Sequence, residues 1–361
     1  MTQEELTVQN LGSSLDDLMN LDPRGYGVCK ILYAASRKRA GEAVSAHFAK
    51  ALLQKVKTGD TVYILVGFVL RPFGAAETDG IIGAMFLART LYLARGAKVV
   101  LVCQEENVPA VKGLARLLGF HTFEAGQPRE EMPFSFTYCA FSKDKTQAKR
   151  QSEELYAALP PVAAVTVEAP GANEKGEYHN AVGLNITALE AKIDVLFSFL
   201  QKRGVPLFSV GDLGNEMGMG ALKEHLRRYV PYTGRGGCNC GCGGGIEAET
   251  AADYVLTATT SDWGCYAVCA MIAYLAGDIE AFWDADTQAQ AMQRAADCGM
   301  IDMYGQTIPA IDGIGKELNC AIVTGMRECV RYAMKLKTTC AKWFEKTIEK
   351  GFFEKKETVD V

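Results

Sequence analysis

The chain has 361 residues, 48% of them hydrophobic and 22% charged, with a formal net charge of −5. That apolar share excludes a disordered chain, and the weak acidity without any Lys/Arg run excludes a phosphate-neutralising surface, so no nucleic-acid partner is expected. Apolar runs such as 61–69 and 265–276 fall well short of the roughly 20 residues that cross a bilayer, and residues 1–6 lack the basic and apolar regions of a leader. The expectation is a cytoplasmic protein with no membrane partner. The 12 cysteines are scattered through apolar segments and read as reduced thiols rather than a disulfide framework.

In chain order, residues 1–58 read as a helical segment, with helices at 15–21 and 41–56. A buried strand follows at 62–67, then a helix over 80–95 stopped by Gly96, a strand at 98–103 and a helix over 108–118 closed by Gly119. Short strands at 120–124 and 134–141 precede a polar-faced helix at 145–159, ended by Pro160-Pro161. The alternation then resumes: strand 163–167, helix 188–202, strand 206–210, helix 219–229, strand 254–258 and helix 264–275. Such alternation predicts an α/β fold with a mostly parallel sheet and helices on both faces, Rossmann-like, with helical extensions at both termini. The α/β domain is expected over 59–330 and a helical tail over 331–361.

In an open parallel sheet, ligands bind where loops leave the carboxyl ends of strands. Four loops of that kind carry more polar residues than capping requires. The loop over 68–83 holds Arg71, a carboxylate holder, and Glu77, Asp79 and Gly80, where Asp79-Gly80 can cap the following helix and leave its N–H groups for an anion. The loop over 211–220, Gly-Asp-Leu-Gly-Asn-Glu-Met-Gly-Met-Gly, brings Asp212, Asn215 and Glu216 to a strand end, and its glycines permit close backbone approach. It is neither a Walker motif nor a GxGxxG turn. Ser261, Asp262 and Trp263 crowd a helix start, where Ser261 or Asp262 serves equally well as a plain N-cap. The loop over 167–185 carries Glu168, Asn173, Lys175, His179, Asn180 and Asn185 without regular structure, a length that is often functional.

Other patterns point away from specific chemistry. Cys238-x-Cys240-x-Cys242 lacks the two-residue spacing by which neighbouring thiolates share one zinc, and no paired CxxC or HxxxH follows. The Gly- and Cys-rich stretch 234–245 is therefore expected to be a flexible loop with incidental thiols, a lid or a linker. Cys265 and Cys269 read as buried apolar side chains. No HExxH or GxSxG is present, which argues against zincins and serine hydrolases.

Taken together, Glu77-Thr-Asp-Gly80, the decapeptide at 211–220, Ser-Asp-Trp-Gly at 261–264 and Gly-Glu-Tyr-His-Asn at 176–180 resemble the D-glutamate cyclase C-terminal domain family over about residues 60–320. Relative to the usual pattern, Leu213 replaces a glycine and Asp262 an asparagine. The resemblance implies a stand-alone bacterial member and a lyase that closes D-glutamate to 5-oxo-D-proline and water. Under that implication Asp79 or Glu77 is the general base, and Arg71 with the helix start at Gly80 binds a carboxylate. Asp212 and Glu216 bind the amino group or, with Asp79, a divalent cation (Mn²⁺ or Mg²⁺). Asn180 and Asn215 orient the substrate, Ser261 and Asp262 line its site, and Trp263 shields it. The partner expected is a small amino acid, and the amphipathic terminal helices suit a homodimer. Two other functions stay open from the residues alone: a hydro-lyase or other lyase acting on a small carboxylate, and a non-catalytic nucleotide- or phosphate-binding sensor.

Overall fold

In the computed structural model, which describes residues 1–127 and 132–354, seven strands form one parallel sheet. They are β1 (Thr61–Val66), β2 (Lys98–Cys103), β3 (His121–Glu124), β4 (Ser135–Ala140), β5 (Ala163–Val167), β6 (Leu207–Gly211) and β7 (Tyr254–Thr257). Their spatial order is β3-β4-β2-β1-β5-β6-β7. The chain thus runs from β1 to β2, on to the edge strand β3 and back to β4 between them, then crosses over and builds outward from β1 through β5, β6 and β7 on the other side. The order reverses at the β1/β5 boundary, the switch point at which such sheets bind ligands.

Both faces of β1 are covered, as its unbroken apolar run requires. Its side chains alternate: Val62, Ile64 and Val66 join one core, whereas Tyr63 and Leu65 join the other. The first core is packed by α1 (Gln3–Met19), α3 (Val44–Lys55), α4 (Ile81–Arg95), α5 (Val108–Leu117), α9 (Ser261–Ala276), α10 (Ala285–Asp297) and α11 (Lys316–Thr339). The second is packed by α2 (Val28–Ala40), α6 (Lys145–Ala158), α7 (Ile193–Lys202) and α8 (Lys223–Tyr229). A final helix, α12, spans Ala341–Glu349. No described helix is long and apolar enough to cross a membrane.

The expected α/β architecture is therefore present, with differences at several helices. α1 starts at Gln3 rather than near residue 15, because Thr2 and Glu5 form a capping box that holds its first turn. α2 was not expected. It buries a narrow stripe, Cys29, Leu32, Ala35 and Ser36, between many basic residues. α7 begins only at Ile193, since the residues before it deliver Glu190 into the interior, where its Oε1 accepts from Val69 N at 3.0 Å. Conversely α9 begins at Ser261, three residues early, and its N-cap is Thr260 rather than Ser261 or Asp262.

Strand register places the site. Val66 pairs with Val167, Val167 with Val210, and Gly211 with Thr257. The loops that follow β1, β5, β6 and β7 consequently leave the sheet side by side.

Candidate active site

The shortest route to the site is through two helix N-termini. α4 and α9 are neighbours, and each takes a carboxylate from the other's start. Asp79, just before α4, accepts from Ser261 N through Oδ2 and from Asp262 N through Oδ1, both at 2.9 Å, while Gly80 N also donates to Oδ1 at 2.9 Å. Asp262, in the first turn of α9, accepts from Gly83 N in α4 at 2.6 Å. The expectation that Asp79 caps its own helix is thus corrected: α4 has Gly80 at its N-cap with no side-chain bond there, and Asp79 serves α9. Close packing enforces the exchange. A Cβ on Gly83 would meet Asp262 Oδ1 at 2.7 Å, and one on Gly80 would overlap the Glu168 Cβ.

Glu168 follows β5 in the left-handed region, at φ 40, a conformation that non-glycine residues hold only when their surroundings demand it. Its Oε2 accepts from Ser261 Oγ at 2.6 Å. Glu216 is fully buried and gathers the decapeptide loop: Asp212 N and Leu213 N donate to Oε1 at 2.8 Å, and Gly214 N donates to Oε2 at 2.6 Å. That leaves the Asp212 carboxyl facing Glu168, Asp79 and Asp312. Glu77 is buried beside Asp79, its backbone N–H donating to Phe68 O at 3.1 Å.

Two members of this site were not expected. Asp312 sits on the two-residue turn between the short strands Ala310–Ile311 and Ile314–Gly315. Arg24, in the turn before α2, donates from Nη1 to Asp312 Oδ2 at 2.9 Å and from Nη2 to Thr259 O at 2.6 Å, and its buried Nε has no protein partner. An Asp-Gly pair between short apolar runs is a hairpin signal legible at 312–313. Nothing local in Asp22-Pro-Arg-Gly25 reports that Arg24 reaches β7's end.

Burial dominates the electrostatics. It pushes Asp79 up to about 7, helped by the Asp312 charge and opposed by the amides of Asp262, Ser261 and Gly80. Burial, then neighbouring carboxylates, raises Glu77, Glu168, Asp212 and Asp262 well above the ordinary carboxylate range. Burial also opposes the Arg24 charge, but Asp312, Asp212 and Asp79 outweigh it and hold its pKa above the usual value. Carboxyls this close cannot all be ionised without a cation. Asp79, Asp212 and Asp312 place one oxygen each within 4.8 Å of one another, and so do Glu168, Asp212 and Glu216.

Other expected residues go elsewhere. Arg71 is exposed and donates to Asn185 O at 2.9 Å. The Asn180 Oδ1 is occupied by Val182 N and Leu184 N in a turn. Asn215 Nδ2 donates to His179 O at 2.9 Å, and its buried Oδ1 is without a protein partner. Trp263 is fully buried in the core, its indole N–H donating to Asn319 Oδ1 at 2.8 Å.

The stretch 234–245 also differs from expectation. Instead of loose thiols, Cys238, Cys240 and Cys242 curl around His179 from the loop after β5, and all four ligating atoms lie within 4.8 Å of one another.

A model of the family described as D-glutamate cyclase-like, C-terminal, matches residues 15–327. The chain belongs to that family. It is also 38% identical over 109 residues to the human protein "D-glutamate cyclase, mitochondrial", a match covering 30% of this chain and 16% of the human protein. The matched family region takes in the C-terminal end of α1, the whole sheet and the first half of α11, so Arg24 and Asp312 fall inside the D-glutamate cyclase-like region along with the loop carboxyls.

Proposed function

We propose that the chain is a D-glutamate cyclase that closes D-glutamate to 5-oxo-D-proline with release of water. The observation that best supports this reading is the buried set of carboxyls at the β1/β5 switch point facing the Arg24 guanidinium. D-glutamate brings one ammonium and two carboxylates. The ammonium suits the carboxyl-lined side, and the α-carboxylate suits Arg24, whose Nε is free to donate. Holding the chain ends together supplies the near-attack geometry, so the reaction needs no activating nucleotide. The preponderance of acids over cations likewise disfavours a phosphate-binding sensor.

In this reading Glu77 is the base. Both Asp79 oxygens are engaged by backbone amides, which makes Asp79 a positioning residue for the two helix starts and for Ser261. Glu77 takes a proton from the ammonium, and the amine attacks the side-chain carboxyl carbon. Asp212, whose pKa burial and the neighbouring carboxylates raise, acts in its protonated form, hydrogen-bonding that carboxyl and protonating the departing oxygen. One C–N bond forms and one C–O bond breaks. Nitrogen loses two protons: the first, held by Glu77, goes to the departing oxygen, and the second restores the proton Asp212 gave that oxygen, so water leaves and both carboxyls return to their starting state.

The all-oxygen donor sets fit a hard divalent cation such as Mg²⁺ or Mn²⁺, which Asp79, Asp312 and an ionised Asp212 would hold, Asp212 then serving as a ligand in place of its role as proton donor. When bound, that ion would supply Lewis-acid neutralisation of the side-chain carboxylate.

The test is NMR of the purified protein with D-glutamate and, separately, L-glutamate, after EDTA treatment and again with Mn²⁺ or Mg²⁺. Lactam from the D isomer is the expected product, and Glu77→Gln should abolish it while leaving the melting temperature near that of the parent. No lactam in any arm would refute the cyclase assignment, and water addition to an unsaturated acid would replace it with a hydro-lyase.

A further inference from the structure

We propose that His179 Nε2 and the Sγ atoms of Cys238, Cys240 and Cys242 form a structural zinc site that clamps the loops around the carboxyl cluster. The Sγ atoms of Cys238 and Cys240 are 3.5 Å apart, and those of Cys238 and Cys242 are 3.4 Å apart. His179 Nε2 lies 3.1 Å from Cys240 Sγ and 3.8 Å from Cys242 Sγ. A tetrahedron with Zn–S of about 2.3 Å and Zn–N of about 2.0 Å has S···S edges of about 3.8 Å and S···N edges of about 3.5 Å. Four of the six edges stand close to that spacing, and all four atoms lie within 4.8 Å of one another, as vertices rather than as a line.

Their surroundings suit thiolates. Gly244 N donates to Cys242 Sγ at 3.4 Å and Asn173 Nδ2 reaches the same sulfur at 3.6 Å, the kind of N–H···S support that orients and stabilises charged ligands. His179 is 1% exposed. The thiols are not bonded to one another. Three thiols and one imidazole are the soft donor set that selects zinc over the hard cations of the carboxyl cluster.

No spacing cue is legible along the chain because the fourth ligand stands 61 residues before Cys240. Glycines make the approach possible. Gly241 and Gly243 both sit at φ +80, turning the chain so that alternate residues face inward. Gly183 passes so close that a Cβ there would meet Asn239 N at 2.8 Å.

The clamp connects directly to the site. Asn215, between Asp212 and Glu216, donates to the His179 carbonyl, and Gly171 N donates to the Asn215 carbonyl at 2.9 Å. One metal would thereby fix the loop after β5, the loop after β6 and the 234–245 stretch together, whatever reaction the carboxyls perform.

The experiment uses the full chain expressed with zinc supplementation, with metal content measured by mass spectrometry and Co²⁺ exchanged in for spectroscopy. About one zinc per chain, an intense thiolate-to-Co²⁺ charge-transfer band, and loss of both in Cys240→Ser and His179→Ala are expected. Asp212→Asn should retain the zinc. A Co²⁺ spectrum without the sulfur band, zinc that survives Cys240→Ser and His179→Ala, or a Cys238–Cys242 disulfide in freshly prepared protein would each overturn the proposal. The wild-type Co²⁺ spectrum decides the matter even if the variants fail to fold. None of these outcomes bears on lactam formation, so the failure of this site and of the cyclase reading can be told apart.

Discussion

Asp79→Asn isolates the electrostatic cost of the site from its architecture. Asn replaces one oxygen that accepts from backbone N–H with an amide that cannot, and losing one such bond in a buried setting costs about 1–3 kcal/mol. Against this stands the titration of Asp79, raised from 3.8 to about 7. A carboxyl whose folded pKa is raised keeps its proton more tightly in the folded state, so stability is full below the unfolded pKa and is lost as pH rises through the folded one. Between about pH 4 and pH 7, that shift of roughly 3 units corresponds to about 4 kcal/mol lost from the wild type. The variant cannot lose it. Urea unfolding in EDTA should therefore find Asp79→Asn less stable than wild type at pH 4, by about 1–3 kcal/mol, and equal or more stable at pH 8. The same destabilisation at both pH values would refute the claim that the buried charge, rather than geometry, is what Asp79 costs the fold.

Gly80→Ala sets a β-carbon against Glu168 at a glycine held at φ +82, so chemical denaturation should show a loss of at least about 1–3 kcal/mol, with turnover reduced as well. Arg24→Met removes the cation facing Asp312 and the site proposed for the α-carboxylate, and KM for D-glutamate should rise at least tenfold with a smaller effect on kcat. At pH 8, titrating EDTA-treated protein with Mn²⁺ should raise the melting temperature, and Asp212→Asn should abolish the rise while Leu15→Ala should not. Leu15→Ala itself, fully buried where α1 packs into the first core, should cost about 2–5 kcal/mol by denaturant unfolding without changing KM.

The sheet was legible because all but the edge strand β3 are short, largely apolar runs closed by Gly, Pro or a polar loop, and that signal is local. The polarity of the four strand-end loops was legible for the same reason. What escaped was everything decided by distance in the chain. Asp79 was visible as a helix cap, but its partner is the amide of Ser261, 182 residues later. Arg24 lies in an ordinary Pro/Gly turn and acquires its meaning only where α2 brings that turn to the end of β7. α2 was missed because its buried stripe is narrow and its surface is dense in Lys and Arg, so the 3.6-residue period is faint. The Cys-x-Cys-x-Cys spacing speaks only for ligands supplied by one loop, whereas His179 approaches the three thiols from another.

The exchange of carboxylates between α4 and α9 explains how a fold tolerates so much buried acid. Each helix start presents N–H groups that carry partial positive charge and would otherwise be unsatisfied in the interior. Asp79 and Asp262 answer both needs at once, so their burial is offset by amides that any replacement would leave stranded. Glu216 does the same for the turn at Asp212, Leu213 and Gly214. Glu77 and Asp212 differ, since their carboxyls are not spent on helix starts or turns. A scaffold that satisfies some acids with backbone amides, and holds others at high pKa beside them, separates positioning from proton transfer within a single cluster. The separation makes a specific demand: Asp79→Asn and Glu77→Gln should both lower turnover and both flatten the pH dependence of stability, since both carboxyls are raised, but only Asp79→Asn, which loses bonds to helix-start amides, should also destabilise the fold at pH 4. If Glu77→Gln, too, destabilised the fold at pH 4 by more than about 1 kcal/mol, Glu77 would belong with the positioning acids, and the base would have to be sought at Asp212 or Glu168.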